Sequence, residues 1–436
     1  MLFDNSNQLR DRAHRLIPGG AHTYSKGDDQ FPQLSPGFIT HGKGSRVWDP
    51  DGNEFLDWGM GLRSVCLGHA YDPVLEVVKA QLEKGVNFTR PSLLEADLAE
   101  LLVDIVPSAD MVKFAKNGSD VTTAAIRLAR AFTDRDLIIR CIDHPFFSVD
   151  DWFIGDTPMN AGIPQSIKDM TKHFPFNNAD ALAHLLDENR GNVACIILEA
   201  AATAAPNPGF LERVRELATM HGAVLIFDEI ISGFRWDLRG AQHYYGVTPD
   251  MSTFGKAMAN GFSLAALVGK REIMERGGLT HSHPRVFLLS TTNGAETHCL
   301  AASLKTIKLL RDTSIITENW EVGKQLREGF NLLANHHGIG DRFRMQGIDI
   351  SPWYSFYDIN GKVDLALRTL FLQETIRHGV LIPYISVSAS HRQNEVDQTL
   401  DAVNKALYVI AQAIDNGSTE GFLLGSEVRP VFRKYN

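Results

Sequence analysis

From residue 112 to residue 270 the chain repeats one pattern, a short and almost unbroken apolar run followed by an amphipathic stretch. "VKFAK" (112–116), "LIIRC", "VACIILEA", "AVLIFDEI" and "AALVGK" read as strands. Between them, "DVTTAAIRLARAF" sets Val121, Ala124, Ala125, Leu128 and Phe132 along one helical stripe. "GFLERVRELATMHG" and "REIMERG" read as further helices. Strands apolar on both faces, separated by helices, specify an α/β domain whose mostly parallel central sheet is covered by helices. Ligands of such sheets bind outside the carboxyl ends of the strands, so the residues just after each run are where chemistry is expected.

At 436 residues the chain exceeds what one core supports. We expect a large α/β domain over 70–295, with residues 1–69 and 296–436 joining as a smaller α+β domain. In the first of these segments "RVWDPDGNEFLDWG" predicts a hairpin turning at Asp51-Gly52. A net charge of −9 argues against nucleic acid or an anionic membrane as partner. No apolar run reaches the ~18 residues of a membrane span, and "MLFDNSNQLRDR" lacks the apolar core of a signal peptide. The four cysteines, Cys66, Cys141, Cys195 and Cys299, have neither metal spacing nor a disulfide framework. A reducing cytoplasm and no metal are expected.

Three features follow strand ends. In "KNGSDVTTAAIRLAR" a strand turns into a helix at Asn117-Gly118-Ser119. Gly118 permits close backbone approach, and the free N–H groups of the helix start with the Ser119 hydroxyl suit a phosphate; a plain helix start capped by Ser119 or Asp120 is the alternative. In "AVLIFDEIISGFR", Asp228 and Glu229 follow five apolar residues. A carboxylate there needs a cation or a donor, unless Asp228 caps the next turn or pairs with Arg235. In "STFGKAMANG", Lys256 is a long cation among small residues near a third strand end. An anion cradle, a carboxylate and a desolvatable lysine on one sheet edge are the parts a pyridoxal phosphate site needs.

With these residues in hand, the sequence resembles the class III (ω-type) aminotransferases of fold type I, the group containing glutamate-1-semialdehyde aminomutase. The similarity runs through "PGGAH", "DPDGNEFLDW", "LGHA", "FAKNGSD", "IILEA", "PGFLERVRELATMHGAVLIFDEIISGFR", "STFGKAMANG" and "STTNGAET". It implies that Lys256 forms the internal aldimine with pyridoxal 5'-phosphate and carries the proton between Cα and C4′. It implies that Asp228 binds the pyridine nitrogen and that Gly118 and Ser119 hold the phosphate. Thr292 matches the threonine that reaches the phosphate of the neighbouring subunit, which implies a homodimer with shared sites. Glu199 matches the glutamate of the family's "EP" motif, with Ala200 in place of the proline.

The departures fall where substrate is expected. The family's "NSPVR" arginine is replaced by Lys26 of "HTYSK", a point charge in place of a bidentate fork. "SWGP" becomes "GLRS", which brings in Arg63, and "PYISVSASHRQNEVD" offers His391 and Arg392 where "SQFE" is missing. The aromatic "YHG" motif gives way to "DHPFFSVDDWF", where His144, Phe146 or Phe147 is the candidate ring-stacking residue. The tail "EGFLLGSEVRPVFRKYN" matches nothing in the family pattern. The expected activity is ping-pong amine transfer from a donor amino acid, glutamate first among them, to an aldehyde or ketone of sugar-like character. Intramolecular amine transfer of the aminomutase type is the alternative, followed by a racemase or decarboxylase and by a non-catalytic binding relative.

Overall fold

Seven strands form the central sheet of the segment Asp72–Ile316: β1 (Met111–Ala115), β2 (Leu137–Cys141), β3 (Thr171–Phe174), β4 (Val193–Leu198), β5 (Val224–Asp228), β6 (Met251–Phe254) and β7 (Ala265–Gly269). The computed structural model describes residues 1–435. The spatial order is β1-β7-β6-β5-β4-β2-β3. All neighbours from β6 to β3 are parallel. β7 is antiparallel to both β6 and β1. The link from β6 to β7 holds only a 3-10 turn (Lys256–Ala259), too short for the crossover that a parallel partner requires, so the chain doubles back. Because β7 is flanked by two strands running opposite to it, β1 points the same way as β6, and six carboxyl ends share one edge.

Strands β4 to β7 are buried along their whole length, as a sheet covered on both faces demands. The helix Gly118–Thr133 crosses β1 and β4 to β7 with Val121, Ala124, Ala125 and Leu128 buried beneath it. Its N-cap is Asn117, not Ser119 or Asp120. The Asn117 side chain accepts from Asp120 N, and the Asp120 carboxylate accepts from Asn117 N. Two strands lie outside the apolar runs. β6 is "MSTF", whose Ser252 and Thr253 are fully buried with their hydroxyls bonded inside the fold, and β3 is the half-exposed edge "TKHF". "REIMERG" makes only one α turn, Arg271–Met274, before a 3-10 turn that ends at Gly277.

The other unit combines Met1–Tyr71 with the chain from Thr317 onward, so the larger unit keeps the helix Thr297–Asp312 that the sequence reading gave to the C-terminal segment. Its sheet pairs His41–Lys43, Arg46–Trp48 and Glu54–Asp57 antiparallel, then adds Val380–Leu381 parallel to the third. The turn at Asp51-Gly52 has Gly52 at φ +82°, and Asp49 Oδ1 accepts from Asp51 N and Asn53 N. Trp58, Leu326, Phe330, Phe343, Phe356, Phe371 and Leu407 centre its core, beneath the helices Leu365–Arg377 and Gln393–Asp415.

Two further details mark this unit. Met60, Gly61, Leu62 and Arg63 have φ of +42°, +58°, +60° and +66°, a complete left-handed turn. For three residues with a Cβ this costs about 1–2 kcal/mol each. The tail after Asn416 runs back over the helix Leu365–Arg377. Gln373 donates to Phe422 O and accepts from Leu424 N, Thr369 Oγ1 accepts from Val428 N, and Arg429 N donates to Asp29 O.

Candidate active site

The carboxyl edge of the large sheet gathers the chemistry-bearing residues of this unit. Gly118 and Ser119 follow β1, His144 follows β2, Glu199 follows β4, Asp228 ends β5 and Lys256 follows β6. Asp228 is 4% exposed. Its Oδ1 accepts from Ile230 N at 2.9 Å and from Thr253 Oγ1 at 3.1 Å. Burial pushes the Asp228 carboxyl up to about 6, opposed by these hydrogen bonds and by the nearby Lys256 charge. A buried carboxylate with both donors on one oxygen is suited to hold a protonated ring nitrogen at the other.

Lys256 is half-buried beside Ala257, Met258 and Ala259, which are fully buried. Its φ of +42° is left-handed, a conformation that a long side chain adopts only when the surroundings impose it. Gly255 before it has no room to spare, since a Cβ there would lie 3.1 Å from Ile230 Cδ1. Ile230 also closes on Gly118, where a Cβ would lie 3.2 Å away. Both glycines thus make room for the Ile230 side chain, which packs against each of them. With Asn117 holding Asp120 N, the N–H groups of Gly118 and Ser119 have no partner within the helix, as the first turn of any helix leaves them. The Ser119 hydroxyl accepts from Val149 N at 3.1 Å, which leaves its own proton to donate.

Residues 28–383 match the sequence pattern of the family Aminotransferase class-III. The chain belongs to the class-III aminotransferases. It is 34% identical over 412 residues to the 3-aminobutyryl-CoA aminotransferase of Cloacimonas acidaminovorans, with 92% of this chain and 96% of that one covered. It is 31% identical over 423 residues to the glutamate-1-semialdehyde 2,1-aminomutase of Persephonella marina, covering 92% and 98%. Among solved structures, an omega-transaminase from Sphaerobacter thermophilus superposes with a TM-score of 0.84 at 28% identity, covering 93% of this chain and 98% of that one. The PLP internal aldimine form of the FumI protein of Sphingopyxis sp. MTA144 gives 0.85 at 26%, covering 94% and 97%. This is the fold type I architecture, and the cofactor of these enzymes is pyridoxal phosphate.

Other features fit a class-III aminotransferase site less directly. His144 is buried, and burial, then Arg140, pushes its imidazole down to about 3, so it is neutral at ordinary pH. Its Nδ1 accepts from Glu199 N at 3.0 Å, which puts the ring proton on Nε2 and ties the end of β2 to that of β4. Phe146 is 45% exposed with its ring edge-on to Phe153, whereas Phe147 is buried against Trp152 and Phe153. Glu199 is buried. Thr292 is exposed, its carbonyl held by Asn87 Nδ2 at 2.9 Å. Glu229 is structural, its buried carboxylate accepting from Ser232 Oγ, Ala241 N and Gln242 N. All four cysteines are buried thiols, and burial pushes Cys141 and Cys195 up to about 12, far from nucleophilic. Among the described residues no group of His, Cys, Asp and Glu is placed to hold a metal, and no helix is long and apolar enough to cross a membrane.

The three substrate candidates belong to the other unit. Lys26 is exposed at the end of a 3-10 turn, Tyr24–Lys26. Arg392 pairs with Glu318 on the surface, both side chains about half exposed, and its N–H donates to Glu395 at the start of the last long helix. Arg63 ends the left-handed turn with its guanidinium 4.9 Å from the Tyr384 ring centre. Thr253 went unmarked in the sequence, although a polar pair, Ser252-Thr253, inside a fully buried strand was the signal that a hydroxyl faces Asp228.

Proposed function

We propose that this class-III aminotransferase moves an amino group from glutamate to an aldehyde or ketone of polyhydroxylated, sugar-like character, in a ping-pong cycle run by a homodimer with shared sites. The observation that carries the reading is the buried Asp228 carboxylate, its Oδ1 already bonded, beside the half-buried Lys256 on one sheet edge. Pyridoxal phosphate, when bound, supplies an electron sink that lets an amino acid lose its Cα proton near neutral pH. Asp228 would hold the ring nitrogen, and the N–H groups of Gly118 and Ser119 with the Ser119 hydroxyl would hold the phosphate, joined by Thr292 of a second subunit. Lys256 would hold the cofactor by its Nζ and, once released, would be the group that takes and returns the proton at the substrate Cα. His144 or Phe146 would lie against the ring, His144 being held by the Glu199 backbone N–H.

Arg63 is the candidate for an acid group on the substrate. Its support is the strained turn that presents it, because strain of this kind persists only where the surroundings enforce it, and often where function needs it. Lys26 and Arg392 are weaker candidates, one a lone exposed cation and the other already in an ion pair. The departures at "HTYSK" and "GLRS" favour an acceptor other than glutamate semialdehyde.

The test is to add glutamate alone to the cofactor-loaded enzyme. Loss of the visible band with release of 2-oxoglutarate matching the number of sites supports the transferase. A band unmoved by glutamate rejects glutamate as donor. Band loss with an amino-aldehyde or diamino compound, without release of any oxo acid, favours the intramolecular reading that the aminomutase relatives suggest.

A further inference from the structure

The irregular segment that carries Thr292 touches the end of β1 in two independent ways. The Lys116 ammonium forms an ion pair with Glu296 Oε1, and Lys116 lies just before Asn117 and the Gly118-Ser119 helix start. Glu296 is the last residue before the helix Thr297–Asp312, a few positions after Thr292. Its side chain is 9% exposed, while that of Lys116 is 41% exposed. Between them, Gly294 lies in van der Waals reach of β1, a Cβ there being 4.0 Å from the Ala115 Cα. From the other side the segment hangs on residues 85–87. Asn87 Nδ2 donates to Thr292 O, Thr297 N donates to Val86 O, and Thr297 Oγ1 donates to Gly85 O.

We propose that the Lys116–Glu296 pair is a positioning clamp that fixes the Thr292 segment against the strand leading into the phosphate cradle, so that Thr292 is aimed before cofactor arrives. The inference rests on Thr292 serving as a phosphate ligand. A carboxylate this deeply buried is retained at a cost unless a cation and hydrogen bonds compensate it. Lys116 provides that compensation while its side chain stays 41% exposed. Its backbone is held as well, with Ser263 Oγ donating to Lys116 O at 3.0 Å. Glu296 Oε2, by contrast, is buried with no bonded partner, so the ion pair is its carboxylate's main anchor. Preordering the loop lowers the entropy that phosphate binding would otherwise spend on it.

The experiment measures the dissociation constant of pyridoxal phosphate from cofactor-free full-length protein, for Lys116→Met, Glu296→Gln, Thr292→Ala and the two double variants with Thr292→Ala. The clamp predicts that each single variant weakens binding roughly tenfold, and that either clamp variant adds little once Thr292→Ala is present. Lys116→Arg keeps near wild-type affinity, and the reversed pair Lys116→Glu with Glu296→Lys recovers part of it. Clamp variants that bind as tightly as wild type, while Thr292→Ala is weakened, overturn the clamp and leave Thr292 as a ligand. Losses that simply multiply with that of Thr292→Ala also overturn it, because the pair would then act elsewhere. An unaffected Thr292→Ala removes the phosphate role and the clamp with it. Lys116→Met changes a half-exposed side chain, so it serves if the buried Glu296→Gln fails to fold.

Discussion

Asp228 and Thr253 face each other on adjacent parallel strands, and the threonine hydroxyl donates to Asp228 Oδ1 at 3.1 Å. With Ile230 N on the same oxygen, the carboxyl group is held firmly yet titrates near 6 instead of the ordinary 3.8, because it is buried. In the folded protein it therefore takes up a proton more readily than in the unfolded chain. Its burial in charged form is a penalty fully present above about pH 6 and absent below about 3.8.

Asp228→Asn removes that penalty while keeping an acceptor for Thr253 and Ile230. Cofactor-free Asp228→Asn is expected to exceed cofactor-free wild type by up to about 3 kcal/mol at pH 8, with the gap closing towards pH 4. Urea unfolding at both pH values measures it. A gap that does not depend on pH contradicts this account of Asp228.

Lys256→Ala should keep the fold and lose turnover, along with the cofactor's visible band at roughly 400–430 nm. The left-handed φ of residue 256 adds a second expectation. Lys256→Gly should be more stable than Lys256→Ala by about 1 kcal/mol, since only glycine is at ease there. Thermal melts of the two variants decide the stability point; wild-type turnover in either one dismisses the lysine assignment.

His144, neutral down to about pH 3, should show no imidazole titration by NMR between pH 5 and 8, a window in which an ordinary histidine does titrate. Its pKa is depressed on folding, so the stability it contributes is complete above pH 6.5 and is lost as pH falls towards 3. His144→Phe leaves the Glu199 N–H without its acceptor and should cost about 1–3 kcal/mol. A variant with unchanged urea midpoint at pH 7 would mean that this bond carries no weight.

Gln373 grips the tail at two points, Phe422 O and Leu424 N. Gln373→Ala should open the tail to trypsin at Arg433 and Lys434, several-fold faster than in wild type. Equal cleavage rates would place the grip elsewhere along the tail.

What could be read from the sequence follows from periodicity. Asp228 stood out because an apolar strand announces its own carboxyl end, where a charge has few other uses, and Lys256 because it is a long cation among small residues. The helix over 118–133 was legible from its stripe, but its cap was not, since Asn117, Ser119 and Asp120 are all good capping residues and only geometry selects among them. β6 escaped because its polar side chains are satisfied by partners distant in sequence, Ser108 and Asp228. The His144–Glu199 bond joins two strand ends and the Lys116–Glu296 pair joins a strand end to a helix start, contacts between distant segments that local pattern does not encode. "GLRS" was legible as a change of side chains, while the left-handed backbone beneath it was not.

The parallel pairing of Glu54–Asp57 with Val380–Leu381 also sets a timetable. During synthesis at roughly 5–20 residues per second, the early hairpin waits on the order of 15–60 s for the strand that completes its sheet. The segment Asp72–Ile316 has all seven of its strands in one continuous stretch and needs no such wait. A ribosome paused after Ile316 would therefore carry a formed cofactor-binding sheet and an apolar N-terminal hairpin still lacking its partner, which makes residues 41–58 the part of the nascent protein most in need of a chaperone.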